Sequence, residues 1–142
     1  MKQVSVGCLI TDGKAFLACH STGNSFYDLP KGLPEPGETP IETCCREVEE
    51  ETGLTPDPSL LVEEGVHAYL KNKDLHLFVW PQTPLPEVRT LHCRSTFLHP
   101  RTGKALPEVD GYKHVLFSEA DAYMAKSMAA VLRTLNGSRL LP

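Results

Sequence analysis

The chain has 142 residues, 41% hydrophobic and 23% charged, with 14 Lys and Arg against 18 Asp and Glu for a net charge of −4. This is the size and composition of one ordinary globular domain, which excludes collagen-like, coiled-coil and disordered chains. The acidity argues against holding nucleic acid by phosphate neutralisation, and no apolar run nears the ~18 residues of a membrane span.

Residues 4–11 and 15–20 predict two strands joined by an Asp12-Gly13 hairpin turn. Residues 21–25 read as a loop and 26–29 as a short strand. Residues 32–37, with Pro34 and Pro36, read as a stiff loop without regular structure. The clearest helix starts at Thr39, which can cap it. Pro40 suits the first helical position, and Glu42 completes a capping box. Gly53 ends the helix in a left-handed position. Residues 60–70 and 75–80 predict strands around a 71–74 turn. Residues 81–86 hold three prolines and read as loop. Then 91–98 predict a strand, 100–111 a loop, 115–117 a strand, and 119–135 one helix with room for a break near Lys126. Residues 1–135 are expected to form a single domain and 136–142 a mobile tail. Strands on both sides of one strong helix predict a mixed α/β sandwich.

The five cysteines are odd in number and form no C-x-x-C pair. Free thiols in a reducing, cytoplasmic compartment are the expectation, and a disulfide framework is not.

On a wheel of about 100° per residue, Ile41, Cys45, Val48 and Thr52 share one stripe, expected to face the core. Glu47, Glu50 and Glu51 lie beside it at i, i+3 and i+4. Like charges so placed cost a helix a few tenths of a kcal/mol per pair, and something should offset that. Arg46 can pair with Glu50, four residues on. Clustered carboxylates also suit a hard divalent cation, Mg²⁺ or Mn²⁺. Taken alone, such a stretch is more often a solvated helix face.

The wider segment favours the cation. Gly32 is followed after five residues by Glu38, after seven more by Arg46-Glu47-Val48, then, one residue on each time, by Glu50-Glu51 and Gly53-Leu54. This resembles the Nudix box, G-x5-E-x7-R-E-U-x-E-E-x-G-U with U a bulky aliphatic. Every fixed position matches. The resemblance implies an α/β (α+β) fold: an α/β/α sandwich with a mixed central sheet and the box as its loop–helix–loop metal site. It implies Mg²⁺ or Mn²⁺ bound by Glu47, Glu50 and Glu51, with the carbonyl of Lys31 often joining. Glu47 and Glu51 are the steadiest ligands, and Glu50 either ligates or is held by Arg46. Glu38 would buttress the loop or hold a metal-bound water, and Gly32 and Gly53 would serve backbone geometry. The implied reaction is hydrolysis of a nucleoside diphosphate linked to another moiety. The catalytic base is then a box glutamate, with Glu47 and Glu50 beside Arg46 as candidates, or a later one. Glu108 is the candidate for a later one, ahead of Glu87 and Glu119.

The flank Leu29-Pro30-Lys31-Gly32 resembles the branch acting on dinucleoside polyphosphates and diphosphoinositol polyphosphates. In relatives cleaving dinucleoside polyphosphates, a tyrosine near the position of Tyr69 marks base stacking. Alternation puts Val62, Val66, Ala68 and Leu70 on an expected core face, and His67 and Tyr69 on the other. Lys31, Lys71, Lys73, Arg94 and Lys113 are candidate phosphate contacts, with Lys31 foremost because the box fixes it beside the metal. Residues 89–111 are the candidate specificity segment. Cys44 reads as a buried small side chain.

The expected substrate is a dinucleoside polyphosphate such as diadenosine tetraphosphate. ADP-ribose, a nucleoside triphosphate and a diphosphoinositol polyphosphate are alternatives, as is a non-catalytic nucleotide-binding regulatory domain. Small-molecule partners, no membrane, no nucleic acid, and a monomer or homodimer are expected. The charge is also local. Residues 32–54 hold seven acids and one base, a net −6, so the rest of the chain carries +2.

Overall fold

The structure is a computed structural model, and residues 2–135 are described. The expected mixed α/β architecture is what forms. The central strand β1, Gln3–Thr11, is buried on both faces from Ser5 onward, as its near-continuous apolar run requires. Val6, Cys8 and Ile10 face one layer, and Leu9 faces the other. Asp12 Oδ1 accepts from the amides of Lys14 and Ala15 at 2.9 Å, which turns the chain into β2, Ala15–Ser21.

β1 and β2 pair only at this turn, Thr11 against Phe16. Beyond it they part. Two short strands fill the gap: β3, Tyr27–Asp28, pairs with β2, and β4, Lys31–Gly32, pairs with β1. β4 falls where the prolines predicted only loop. Pro34 and Pro36 lie beyond it, so the amides at 31 and 32 remain available for pairing.

The helix α1, Pro40–Thr52, carries the capping box as predicted. The Thr39 side chain accepts from the Glu42 amide, and Glu42 accepts from the Thr39 amide at 2.9 Å. Gly53 closes it with φ 80°. α1 covers Val6, Cys8, Ile10, Phe78 and Trp80 with Cys44 and Val48. The buried stripe is thus rotated from the predicted one. Ile41 and Cys45 are only partly covered, while Thr43, Cys44, Glu47 and Glu51 are buried. An apolar-only wheel misplaces the stripe because the helix buries its acids.

After a turn at Pro58–Leu60, β5, Val62–Leu70, and β6, Lys73–Pro81, form a hairpin. β6 runs parallel to β1 along its whole length. The predicted faces of β5 are reversed. Val62, Val66, Ala68 and Leu70 are exposed, while His67 and Tyr69 turn inward. β5 is the sheet edge, and α3, Lys126–Thr134, covers only its His67–Tyr69 face.

Only Thr96–Leu98 (β7) of the predicted 91–98 strand is a strand, and Val88–Thr90 is a short turn. The predicted loop at 100–111 instead contains β8, Ala105–Pro107, and the start of β9, Val109–Leu116. β7 and β8 pair only with each other, and β9 pairs with β2. The final helix is broken as anticipated. α2, Ala120–Tyr123, and α3 are parted where Met124 bridges Tyr27 and the Ala125 amide donates to the Tyr27 carbonyl at 3.2 Å. The 136–142 tail lies outside the described residues. Among them no helix is long and apolar enough to cross a membrane.

Candidate active site

α1 sends its acids in two directions. Glu47 and Glu51, one turn apart, are only 9% and 6% exposed, and Glu51 opens into the gap between β1 and β2. Glu50 is more open and turns to Arg46, 3.0 Å from its Nη1. Arg46 Nε and Nη2 grip the two oxygens of Glu38 at 2.6 and 3.0 Å. Its Nη1 also donates to Glu47 at 2.7 Å, and Nη2 to the Leu33 carbonyl at 3.0 Å. One guanidinium therefore spans these three carboxylates and ties the 33–38 loop to the helix. Glu38 accepts further from the Thr43 hydroxyl and the Glu35 amide, both at 2.8 Å. The Arg46 guanidinium is the main reason the Glu38 carboxyl falls to about 2.

Glu47 and Glu51 are close enough to hydrogen-bond each other. Burial pushes the Glu51 carboxyl well above the usual range; Glu47 beside it and Glu108 add to the rise, and Lys31 opposes it. Burial raises Glu47 as well, against the pull of Arg46. Two desolvated carboxylates side by side cannot both stay ionised without a counter-charge, so either a proton or a cation must sit between them. Among the described residues no three acid, His or Cys side chains converge into a ready-made cage. A pair of hard oxygens nevertheless suits Mg²⁺ or Mn²⁺, which keep waters and substrate oxygens in their shell.

Gly32 and Gly53 frame this pair. A methyl group at Gly32 would run into the Glu47 carboxylate, so a bare α-carbon is what lets the acid lie there. At Gly53 the backbone is left-handed, and a side chain would meet the His92 ring at 2.5 Å.

A cavity of about 100 Å³ opens on Glu51, with Cys19, Asp28, Lys31 and Glu108 also in its walls. Lys31 Nζ lies 3.4 Å from Asp28 and 5.9 Å over the Tyr69 ring. Burial acts downward on the Lys31 ammonium, but Asp28 and Tyr69 outweigh it and the net direction is up. Asp28, raised by burial and held back by Lys31, was not legible as a site residue. Its only signal is the i, i+3 spacing to Lys31. Tyr69 supports Lys31 from below, packed against the α3 layer, rather than lining the cavity. The carboxylate-bearing Glu108 is fixed by its backbone: its amide donates to Ser95 O and its carbonyl accepts from Thr22 N, both at 3.1 Å. Glu87 pairs with Arg89, Arg94 with Glu49, and Lys113 lies over Tyr123; none of these lines the cavity, nor do Lys71, Lys73 and Glu119. A larger hollow of about 360 Å³ between Lys14, Phe117 and Leu132 holds no comparable pair of buried acids.

The end of α1 is fastened to the irregular 92–95 segment. The Glu50 carbonyl accepts from the amides of Arg94 at 2.6 Å and Ser95 at 3.3 Å, and Thr52 O from His92 N at 3.2 Å. Tyr112 Oη donates to Glu51 O at 2.6 Å. These bonds satisfy carbonyls that a helix end leaves free.

The family model for the NUDIX domain matches residues 1–135. An uncharacterized 17.7 kDa protein of the e–segB intergenic region of Enterobacteria phage T4 is 28% identical over 146 residues, 95% of this chain and 96% of that one. Among solved structures, a bifunctional NMN adenylyltransferase/ADP ribose pyrophosphatase from Francisella tularensis, complexed with AMP and a Mn ion, aligns with TM-score 0.68. It is 18% identical over 95% of this chain and 41% of that one. A C. elegans Ap4A hydrolase binary complex aligns with TM-score 0.59 at 18% identity, over 92% of this chain and 93% of that one. With the whole box in place on this fold and the domain matched along 1–135, the chain belongs to the Nudix family of pyrophosphohydrolases.

Proposed function

We propose that the chain hydrolyses a diphosphate bond in a nucleoside diphosphate derivative, with Mg²⁺ or Mn²⁺ held by Glu47 and Glu51. The observation that carries this reading is the buried Glu47–Glu51 pair, with Glu51 lining a cavity that also holds Lys31. Glu50 and the Lys31 carbonyl are the further donors the box names. When bound, the divalent ion neutralises phosphate oxygens and acidifies water.

The chain's own groups do the rest. Lys31, kept charged by Asp28, presents a point charge to a substrate phosphate. Arg46 holds Glu47 and Glu50 in place and leaves one oxygen of Glu47 without an Arg46 bond. Glu108 lines the cavity, which supports it as the base that takes the proton from water as it attacks phosphorus and the bridging P–O bond breaks. Glu50 is the competing base. The L-P-K-G flank and the Ap4A hydrolase likeness support a dinucleoside polyphosphate first. The Mn ion and AMP bound to the Francisella protein support the metal and a nucleotide.

The test is a panel of diadenosine tetraphosphate, ADP-ribose, nucleoside triphosphates and a diphosphoinositol polyphosphate, with products resolved by ion-exchange chromatography. Metal-dependent cleavage abolished by EDTA is expected, fastest on diadenosine tetraphosphate. No product from any member with either metal overturns the reading. Glu47→Gln and Glu51→Gln should each lower kcat by about 100-fold or more while the fold survives. Near-wild-type turnover in both removes the metal assignment.

A further inference from the structure

Lys31 reaches the cavity across the face of the sheet. It sits on β4 opposite Gly7 of β1. A Cβ at Gly7 would come within 3.2 Å of Leu75 Cδ1 and 3.4 Å of Lys31 Cβ, so the bare glycine lets the lysine stem lie close against the strand. The Lys31 side chain is only 25% exposed. A four-carbon stem has many rotamers, and each one that the fold leaves open must be given up when a phosphate is bound. Asp28, 3.4 Å away, removes part of that freedom. It also competes, because a carboxylate draws the ammonium away from any phosphate. A second support that carries no charge would hold the ammonium without competing for it.

Tyr69 has that form. The β5–β6 register is irregular between Ala68 and Leu70, and Tyr69 is the residue set apart there. Such an irregularity re-aims a side chain. The Tyr69 ring lies under Lys31, whose Nζ is 5.9 Å from the ring centroid, and the residue packs against the core cluster that includes α3. Its hydroxyl is within hydrogen-bonding reach of Lys31 and of Ser127 in the first turn of α3. α3 is thereby joined to the cavity wall through Ser127, Tyr69 and Lys31, although neither Tyr69 nor Ser127 lines the cavity. With Lys31 over the ring and the core against the residue, a base could stack on Tyr69 only by displacing one of them.

We propose that Tyr69 is a positioning residue for Lys31 and thereby sets the affinity for the diphosphate itself, whatever base the substrate carries. The negative face of the ring restrains the ammonium, and its donors stay available to phosphate oxygens. The inference rests on reading Lys31 as the phosphate contact of the hydrolytic site. It assigns Tyr69 to the phosphate end of the substrate, so every ligand with a diphosphate should register its loss equally.

The experiment measures Kd by calorimetry, with Mg²⁺ present, for ADP and for methylenediphosphonate, a diphosphate without a base. The proteins are wild type, Tyr69→Leu, Tyr69→Phe, Lys31→Met and the Lys31→Met/Tyr69→Leu double variant. Tyr69→Leu should raise both Kd values by the same factor, about fivefold or more. Tyr69→Phe keeps the ring and should stay within about threefold of wild type. In the Lys31→Met background Tyr69→Leu should change neither Kd by more than about twofold, since the group it positions is gone. Where Tyr69→Leu does not fold, as judged by circular dichroism, Tyr69→Met replaces it in both backgrounds with the same expectations. Weakening confined to ADP makes Tyr69 a base contact and overturns the inference. So does an unchanged methylenediphosphonate Kd, or no binding of that ligand to wild type. An equal loss with and without the Lys31 side chain shows a merely structural role and overturns it too. If wild type cleaves nothing yet the Lys31-dependent loss appears, the inference stands and the hydrolytic reading falls.

Discussion

At Gly32 the missing side chain matters more than any present one. A methyl group there collides with the end of the Glu47 side chain, and a side-chain end can move. Displacing it off its rotamer costs about 0.5–1.5 kcal/mol. Gly32→Ala should therefore lower stability by no more than about 1.5 kcal/mol while raising the Mg²⁺ concentration for half activation by about tenfold. Denaturant melts and metal titration of activity check this, and an unchanged titration would count against the Glu47 role. Arg46 makes the converse case. Its fork reaches Glu38, Glu47, Glu50 and Leu33 at once, which a lysine's single point cannot do. Arg46→Lys should cost about 1–3 kcal/mol in urea unfolding despite keeping the charge, since it strands hydrogen-bonded carboxylates. A loss below about 0.5 kcal/mol would mean that the charge alone suffices. Both residues stand in the sequence as fixed letters of a pattern. The i, i+4 spacing contains the Arg46–Glu50 pair, but the reach to Glu38 and Leu33 is a matter of how the 33–38 loop folds over α1, and no spacing rule contains that.

Elements were legible where their signals are local. The helix α1 carries cap, capping box and terminal glycine within its own span, and both ends fall where read. Its buried face was misread because Glu47 and Glu51 are inside. β5 was misread for a related reason: alternation gives two faces but not which one meets α3. The reversal has a measurable consequence. Val66, 57% exposed, should tolerate Thr within about 0.5 kcal/mol, whereas Val48→Ala in the core should cost about 1–3 kcal/mol in thermal or urea unfolding. Similar losses at both sites would place Val66 in a core after all. The 91–95 segment was illegible because its partners, Glu50 and Thr52, are distant in the chain, and the β7–β8 hairpin because its strands are only three residues each.

Across the molecule, the parting of β1 from β2 decides where chemistry can occur. The sheet leaves its centre open at one end, and α1 closes the back of that opening with its acids. Of the seven acids in residues 32–54, Glu51 lines that opening and Glu47 is buried beside it. This gives stability a defined dependence on pH. Glu47 and Glu51 are raised in the fold, so above the unfolded value of about 4.3 the folded chain holds more protons than the unfolded one. Without metal, stability therefore falls as pH rises through the raised values. Glu38 acts oppositely and lower down: its contribution is complete above its unfolded value and is lost as pH falls towards about 2. At the proposed metal site a cation would take the place of a proton between Glu47 and Glu51, so Mg²⁺ should lift the melting temperature more at about pH 8 than at about pH 5. Equal lifts at both pH values would show that the metal displaces no proton.

The bonds from His92, Arg94 and Ser95 to the last carbonyls of α1 tie an irregular segment to the helix that bears the acids. Their amides should then resist deuterium exchange as strongly as helical ones, although no strand or helix contains them. Any opening of that segment frays the end of α1 next to Glu51. Slow exchange at these three positions becomes a report on the integrity of the wall that bears Glu51, readable without substrate and without a metal present.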